Sequence, residues 1–591
     1  MKNVNVSTVD MVNIKINGIA CRAPAGSTIL DAAHAAGIAI PTLCYLKELN
    51  SIGACRMCVV EVKGAKNLVA SCVYPIAEGM EIWTNTERVQ ASRRTNLKLI
   101  LSIHNQTCLT CTRSGVCELQ RLCREYGVDN QMAFEGEKID YQPDESAVHM
   151  VRDNSKCIMC RRCEAVCSLA QGVACIGSSG RGFATHIGPS FDAPLDTTQF
   201  IHCGQCIIAC PTGALYEKDN TALVWNALDD PGKHVIVQTA PSVRAGLGEM
   251  FNLPIGTNVE GKMAAALRRM GFDGVFDTDF AADLTIMEEA SEFLQRVQNG
   301  GTLPLITSCC PGWVKFCETF YPDFIPNLST CKSPQQMFGA MAKTYYAQKM
   351  GIAPKDLFVV SVMPCTAKKF EITREDECGA GEGIPDVDVA LTTRELGAMI
   401  RRAGLLFEEL PEEDFDPALG IATGAGHIFG ASGGVMEAAL RTATELLTGK
   451  ELKSVEFSEV RGAHGVKEAT YEIAGKEIRV CALSGTQNAR QVLEDVRSGR
   501  RQYDFIEIMA CPGGCVNGGG QPIQPSVVRN FRSVSAVRAK ALYQEDRDMP
   551  LRKSHRSPLI QEVYQTFLEK PGSEKAHQLL HTSYINRSSQ T

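Results

Sequence analysis

The sequence predicts a multidomain chain in which small α+β modules precede a long α/β portion and a helical tail. Three observations lead there. The chain has 591 residues, several domains' worth at about 100–200 residues each. Its 26 cysteines gather in groups instead of spreading evenly. From residue 232 onward, short apolar runs alternate with helical patterns, as expected of parallel strands joined by helices.

Composition bounds the function. Apolar residues at 44% and charged residues at 21% are ordinary for soluble protein, and a net charge of −7 has the wrong sign for a nucleic-acid binder. No apolar run approaches the ~18 residues of a membrane span. The start "MKNVNVSTVDMVNIKING" lacks the apolar core of a secretory signal. A cytoplasmic location is therefore expected, where grouped cysteines read as metal ligands and not as disulfides. Seven isolated cysteines (Cys21, Cys123, Cys175, Cys317, Cys331, Cys378 and Cys481) read as small buried apolar residues.

The first unit, 1–88, opens with the alternating "VNIKI", a turn at Asn17-Gly18 and a helix after Ser27. Its spacing Cys44-x10-Cys55-x2-Cys58-x13-Cys72 resembles that of a β-grasp ferredoxin domain holding a 2Fe–2S cluster; four thiolates also suit zinc. The second, 89–130, is helical through "ERVQASRRTNLKLILSIH" and carries His104-x3-Cys108-x2-Cys111-x5-Cys117. Three thiols leave one position for an imidazole, which raises a cluster's potential as in Rieske centres, although zinc would accept the same set.

The third unit, 146–225, contains "CIMCRRCEAVC", with Cys157, Cys160, Cys163 and Cys167 spaced as in two-cluster ferredoxins. In that pattern each run's fourth cysteine ligates the other cluster. The repeat, "FIHCGQCIIACP", supplies Cys203, Cys206 and Cys210 but has Phe200 where its first cysteine belongs. One cluster then takes Cys157, Cys160, Cys163 and Cys210, while the other has Cys167, Cys203 and Cys206 and lacks a ligand. It is expected to be three-iron, to be labile, or to recruit Cys175 or His202; Cys175 is favoured because it lies in the connecting loop.

In the fourth unit, 232–530, "HVIVQTAP", "LPLITSCC" and "LFVVSVMPC" read as buried strands ending at polar or cysteine residues. In parallel sheets such ends commonly carry the site. Three distant segments, "TSCCPGW", "VMPCTAKKFE" and "MACPGGCVNGGG", contribute the last cysteines. Cys511 and Cys515 are four apart and share a face if they lie on a helical turn. Nearby glycines permit close backbone approach. The adjacent Cys309 and Cys310 point apart, so if one is a ligand the other has a separate task. The remainder, 531–591, reads as helices without cysteine.

These three segments resemble those of the iron-only (FeFe) hydrogenases, and the resemblance runs from residue 11 onward. It implies an α/β catalytic domain with a six-iron H-cluster: a 4Fe–4S cubane joined through a cysteine to a diiron unit with CO, cyanide and a dithiolate. The implied cubane ligands are Cys310, Cys365, Cys511 and Cys515, the last as the bridge. Around the diiron unit it implies Ala240, Pro241, Pro334, Gln335, Met363, Lys368, Phe429, Gly430 and Met509. A lysine beside cyanide makes sense as a fixed cation donating hydrogen bonds to an anion. Cys309, Glu289, Ser329 and Glu292 are the implied proton relay, and a thiol with an ordinary pKa of ~8.5 is mostly protonated at neutral pH. Helical phasing alone reads Glu289 and Glu292 as a solvated face. The tail matches a small-subunit-like region.

The implied reaction is 2H⁺ + 2e⁻ ⇌ H₂, with electrons from ferredoxin or from flavoprotein subunits oxidising NAD(P)H, and with maturation proteins supplying the diiron unit. The first two modules also resemble those of a respiratory complex I subunit, which keeps the multisubunit alternative open. No dinucleotide fingerprint is present, so nicotinamide chemistry would belong to a partner. A hydrogen sensor or an iron–sulfur assembly protein is disfavoured by the intact Cys309, Glu289 and Glu292. A plain electron carrier would leave the residues around the diiron unit unexplained.

Overall fold

The computed structural model describes residues 10–128, 134, 139–452, 454–462 and 464–589. The expected unit ends at 1, 130 and 591 lie outside these residues.

The N-terminal module is a five-stranded sheet in the order Ile19–Pro24, Met11–Ile16, Glu81–Trp83, Val59–Val62, Val69–Ala70. Its hairpin turns at Asn17 (φ 51°) and Gly18 (φ 83°), the left-handed pair that matches strand twist in a two-residue loop. Thr28 caps the helix Ile29–Ala35 by accepting the Asp31 amide, one residue beyond the serine that sequence suggested. A 17-residue helix, Glu87–Ile103, capped by Thr86, delivers His104 at its C-terminal end. The helix Glu118–Glu125 starts directly after Cys117.

The strands Met150–Arg152 and Leu215–Glu217 pair antiparallel, closing the cysteine-dense segment so that its two runs face one another. The helices Arg162–Ala165 and Gln205–Ala209 each follow a residue in the left-handed region, Arg161 and Gly204.

The catalytic portion has two four-stranded sheets. In the first, Gly274–Asp277, His234–Thr239, Leu357–Met363 and Val389–Thr392 are neighbours and all parallel. In the second, Leu305–Ile306, Phe505–Met509 and Lys476–Ser484 run parallel, with Val466–Ile473 antiparallel at the edge. The inner strands are buried along nearly their whole length, as expected where helices cover both sheet faces. The C-terminal ends of four strands lead into the expected segments: Thr239 into Ala240-Pro241, Ile306 into Cys309-Cys310, Met363 into Cys365, and Met509 into Cys511.

The tail is not a separate body. Its helices Val534–Asp548, Pro558–Val563 and Glu574–Leu580 pack onto the catalytic portion, and Ile560 and Leu580 share a core with Phe338 and Met341. Among the described residues no helix is long and apolar enough to cross a membrane.

Candidate active site and its iron–sulfur approaches

One cavity collects residues from every expected segment. Its walls include Ala240, Pro241, Cys309, Cys310, Pro334, Gln335, Met363, Cys365, Lys368, Phe429, Gly430, Met509, Cys511 and Cys515. These stand up to 275 residues apart in sequence, and the two sheets bring them together by their strand ends. Burial raises the thiols of Cys310, Cys365, Cys511 and Cys515, Cys365 to about 12, and the charges of neighbouring cysteines raise the last three further. Four neutral thiols in an apolar hollow are poorly served. A metal cluster supplies the positive charge that stabilises them as thiolates, so the donor set fits an iron–sulfur group.

Backbone geometry fits as well. Cys511 and Cys515 are joined not by the expected helical turn but by a loop with Gly513 at φ 81° and Gly514 at φ 100°. A Cβ on Gly514 would lie 2.6 Å from the Ser432 nitrogen, and one on Gly518 would lie 2.1 Å from the Pro364 carbonyl oxygen. Positive φ and close backbone contact both exclude a side chain there.

Lys368 Nζ donates to the Cys309 carbonyl at 3.2 Å and to the Glu371 carboxylate at 3.0 and 2.8 Å. Burial opposes its charge, but Glu371 outweighs that and holds the ammonium above its ordinary value. Gln335 donates to Glu371 at 2.9 Å and accepts from Ser361 at 2.8 Å, which fixes this wall. Cys309 is partly exposed, and burial followed by the charge of Glu289 pushes its thiol up.

Glu289, Glu292 and Ser329 do not line the cavity; they continue outward from it. Glu289 is 1% exposed, and burial and then Glu292 raise its carboxyl to about 8, while a Ser329 hydrogen bond pulls the other way. Ser329 also donates to Glu292 at 2.9 Å, and Glu292 accepts from Arg296 at 2.5 Å. The solvated-face reading of Glu289 is thus overturned: Ser329 and its neighbours cover that side of the helix Asp279–Asn299. Glu292, less buried, stands between Ser329 and the partly buried Arg296.

Ser242, Thr278 and Asp279 also line the cavity and were not anticipated. Asp279 accepts from His427 at 2.7 Å, and Asp277, Asp279 and His427 lie within the span of a cation site. The Arg244 guanidinium already fills it, donating to Asp277 at 2.7 Å and lying 3.2 Å from His427. The Asp277-x-Asp279 alternation at a strand end was the available signal.

The outer cysteine groups are also assembled. Cys58 and Cys72 stand 3.3 Å apart, and Cys44 and Cys55 are hydrogen-bonded to one another, giving two thiol pairs in the N-terminal module. His104, Cys108, Cys111 and Cys117 line one cavity, joined by Cys123. Cys210 is the one second-run cysteine whose charge raises both Cys157 and Cys160, and around Cys163 it acts together with Cys206, so Cys210 stands beside the first run. Of the isolated cysteines, Cys317, Cys331 and Cys481 are buried as expected. Cys21, Cys123, Cys175 and Cys378 are only partly so: Cys21 lies on the edge strand Ile19–Pro24, Cys123 beside a cysteine cavity, and the other two in loops.

The chain matches the family described as iron only hydrogenase large subunit, C-terminal domain, over residues 233–519. Residues 9–87 match a 2Fe-2S iron-sulfur cluster binding domain, 93–132 the NADH-ubiquinone oxidoreductase-G iron-sulfur binding region, and 532–587 the iron hydrogenase small subunit. Among similar proteins, the NADP-reducing hydrogenase subunit HndD of Solidesulfovibrio fructosivorans is 51% identical, over 98% of this chain and 100% of that one. Iron hydrogenase 1 of Clostridium pasteurianum is 43% identical over 97% of this chain and all of its own. The apo FeFe-hydrogenase HydA1 of Chlamydomonas reinhardtii, in a substituted form, superposes with TM-score 0.56 at 43% identity, covering 62% of this chain and 99% of that one. With its cavity cysteines, its strand-end architecture and full-length similarity of this degree, the chain belongs to the iron-only hydrogenases.

Proposed function

We propose that this chain interconverts protons, electrons and H₂ at the cavity between its two sheets, fed by its own iron–sulfur modules. The observation that carries the reading is the convergence of four distant cysteines, a buried lysine and a proton-bearing chain on one hollow. Cys310, Cys365, Cys511 and Cys515 would hold the H-cluster through their thiolates, Cys515 being the one shared between its two parts on the family resemblance. When bound, the H-cluster supplies the redox chemistry that joins protons and electrons.

The protein's own part is to fix that group and to move protons singly. Lys368 offers a cation to an anionic ligand. Ala240, Pro241, Pro334, Gln335, Met363, Phe429, Gly430 and Met509 shape the walls and exclude water. Cys309 holds a proton on Sγ facing the cavity. Glu289 recharges it, Ser329 passes the proton between the two carboxyls, and Glu292 exchanges it with solvent beside Arg296. Of these groups Glu289, raised to about 8, is the one tuned towards neutral pH.

On the electron side, Cys44, Cys55, Cys58 and Cys72 would hold a 2Fe–2S cluster, and His104, Cys108, Cys111 and Cys117 a 4Fe–4S cluster. Cys157, Cys160, Cys163 and Cys210 would hold a second 4Fe–4S cluster. The boundaries 1–88, 89–130, 146–225, 232–530 and 531–591 remain our proposed units. Full-length similarity to a protein named as an NADP-reducing hydrogenase subunit favours a partner subunit that handles the nicotinamide. The iron-sulfur region shared with NADH-ubiquinone oxidoreductase-G points the same way.

The test is to purify the chain anaerobically from a host that matures the diiron unit, record co-purifying subunits, and compare H₂ evolution from reduced viologen, ferredoxin and NADPH. Turnover with viologen is expected from the chain alone, and with NADPH only when partner subunits are present. NADPH-driven turnover by the isolated chain would overturn the assignment of nicotinamide chemistry to a partner.

A further inference from the structure

The second ferredoxin-type run lacks a ligand at Phe200, and the structure indicates what has replaced it. Phe200 is 4% exposed and shares an apolar cluster with Cys167 and Cys206, against which Cys175 packs. Its ring lies 5.1 Å from that of His149, so the vacated ligand position is sealed by hydrocarbon.

Cys175, eight residues after Cys167, is brought back to it by the loop between them. Gly172 (φ 62°) and Ala174 (φ 55°) are both left-handed. The amides of Val173 and Ala174 donate to the Cys167 carbonyl at 3.0 and 3.2 Å. The result is a Cys167–Cys175 sulfur separation of 3.5 Å, well beyond the ~2.05 Å of a disulfide. Backbone amides of residues 174–176 reach the Cys167 sulfur, and the other charges acting on Cys175 are those of Cys206 and Cys203.

His202, the other nearby donor, is committed elsewhere. Its Nδ1 lies 3.0 Å from His149 Nδ1, and its ring stacks on Phe370 at 4.4 Å. The charges facing it are Lys315 and Arg587, not the cysteines.

We infer that Cys175 replaces the ligand missing at Phe200 and, with Cys167, Cys203 and Cys206, completes a four-thiol site for a four-iron cluster. The inference rests on the iron–sulfur reading of the paired runs but not on hydrogen turnover. The site matters because it abuts the catalytic cavity: the Cys203 carbonyl lies 4.0 Å from the Cys511 sulfur. Electrons passing from the outer modules to the cubane would make their last stop here.

The test compares the full chain, Cys175→Ala, and Cys175→Ala/Phe200→Cys, each purified anaerobically. Iron per chain is measured, with EPR spectra of oxidised and reduced samples. Cys175→Ala is expected to lose about one iron per chain and to show the oxidised three-iron signal, since three thiolates hold a cluster short of one iron. Because removing a side chain also loosens the loop, the double variant returns the thiol to the repeat position and is expected to restore the four-iron spectrum. Unchanged iron content and spectra in Cys175→Ala would overturn the inference. So would a loss that the returned thiol leaves uncorrected, which would assign the damage to the loop. None of these readouts involves H₂, so a failed hydrogenase assay and a failed ligand assignment stay distinguishable.

Discussion

Glu289 is almost fully buried yet ionisable, and burial together with Glu292 lifts its carboxyl to about 8. The folded chain therefore keeps a proton there at pH values where the unfolded chain has lost it. The stability this contributes is full below the ordinary carboxylate value and is lost as pH rises towards about 8. Glu289→Gln stays neutral throughout, so its unfolding temperature is expected to fall less than that of the parent between about pH 5 and about pH 8. The same variant cannot accept a proton, and H₂ turnover is expected to drop by about 10²–10⁴-fold. Thermal unfolding across pH and an H₂ assay check the two arms separately. Periodicity alone reads Glu289 as part of a solvated face. Its burial comes from Ser329 and from the tail near Glu288, which accepts from Tyr564 at 2.5 Å, and no local pattern reports covering segments so far away in the chain.

At the scale of elements, the cysteine groups were readable because iron–sulfur spacing is a local property of loops and short helices. Both halves of the paired run, the strand-turn-helix start and the strand-end positions of the cavity segments appear where the pattern puts them. The connection between Cys511 and Cys515 was not readable, since the spacing of four fits a helical turn as well as a loop. The decision lies with Gly513 and Gly514, whose positive φ abandons the helix. Gly514→Ala is accordingly expected to cost about 1–3 kcal/mol from its backbone alone, since φ 100° with ψ −169° is essentially confined to glycine. The contact with the Ser432 backbone at 2.6 Å adds to this. Reduced iron retention with intact far-ultraviolet circular dichroism would locate the damage in the cysteine loop, whereas wild-type iron content would show that the loop tolerates the side chain.

Across the whole molecule, the tail braces the cysteine loop that sequence alone treated as independent of it. Arg538 is 1% exposed, pairs with Glu249 at 2.7 Å, and donates to the carbonyls of Val516 and Pro522 at 2.8 and 2.9 Å. Those carbonyls belong to the segment following Cys515, so the small-subunit-like region helps hold that segment in place. Removing one partner of a buried pair costs about 3–5 kcal/mol, and Arg538→Ala is expected to lower the unfolding temperature and to shed iron from the cubane before the outer clusters. Loss of the outer clusters first, followed by EPR, would separate the tail from this role. On the proposed function, iron–sulfur approaches on one side and the Glu289–Ser329–Glu292 chain on the other would give electrons and protons different routes to one cavity, meeting at the adjacent Cys310 and Cys309. That division is the central claim, and H₂ evolution from reduced viologen by matured Cys309→Ala, measured beside its cubane EPR signal, tests it most directly. The account predicts a cubane signal equal to that of the parent with turnover reduced by about 10²-fold or more. Near-parental H₂ production from that variant would contradict it.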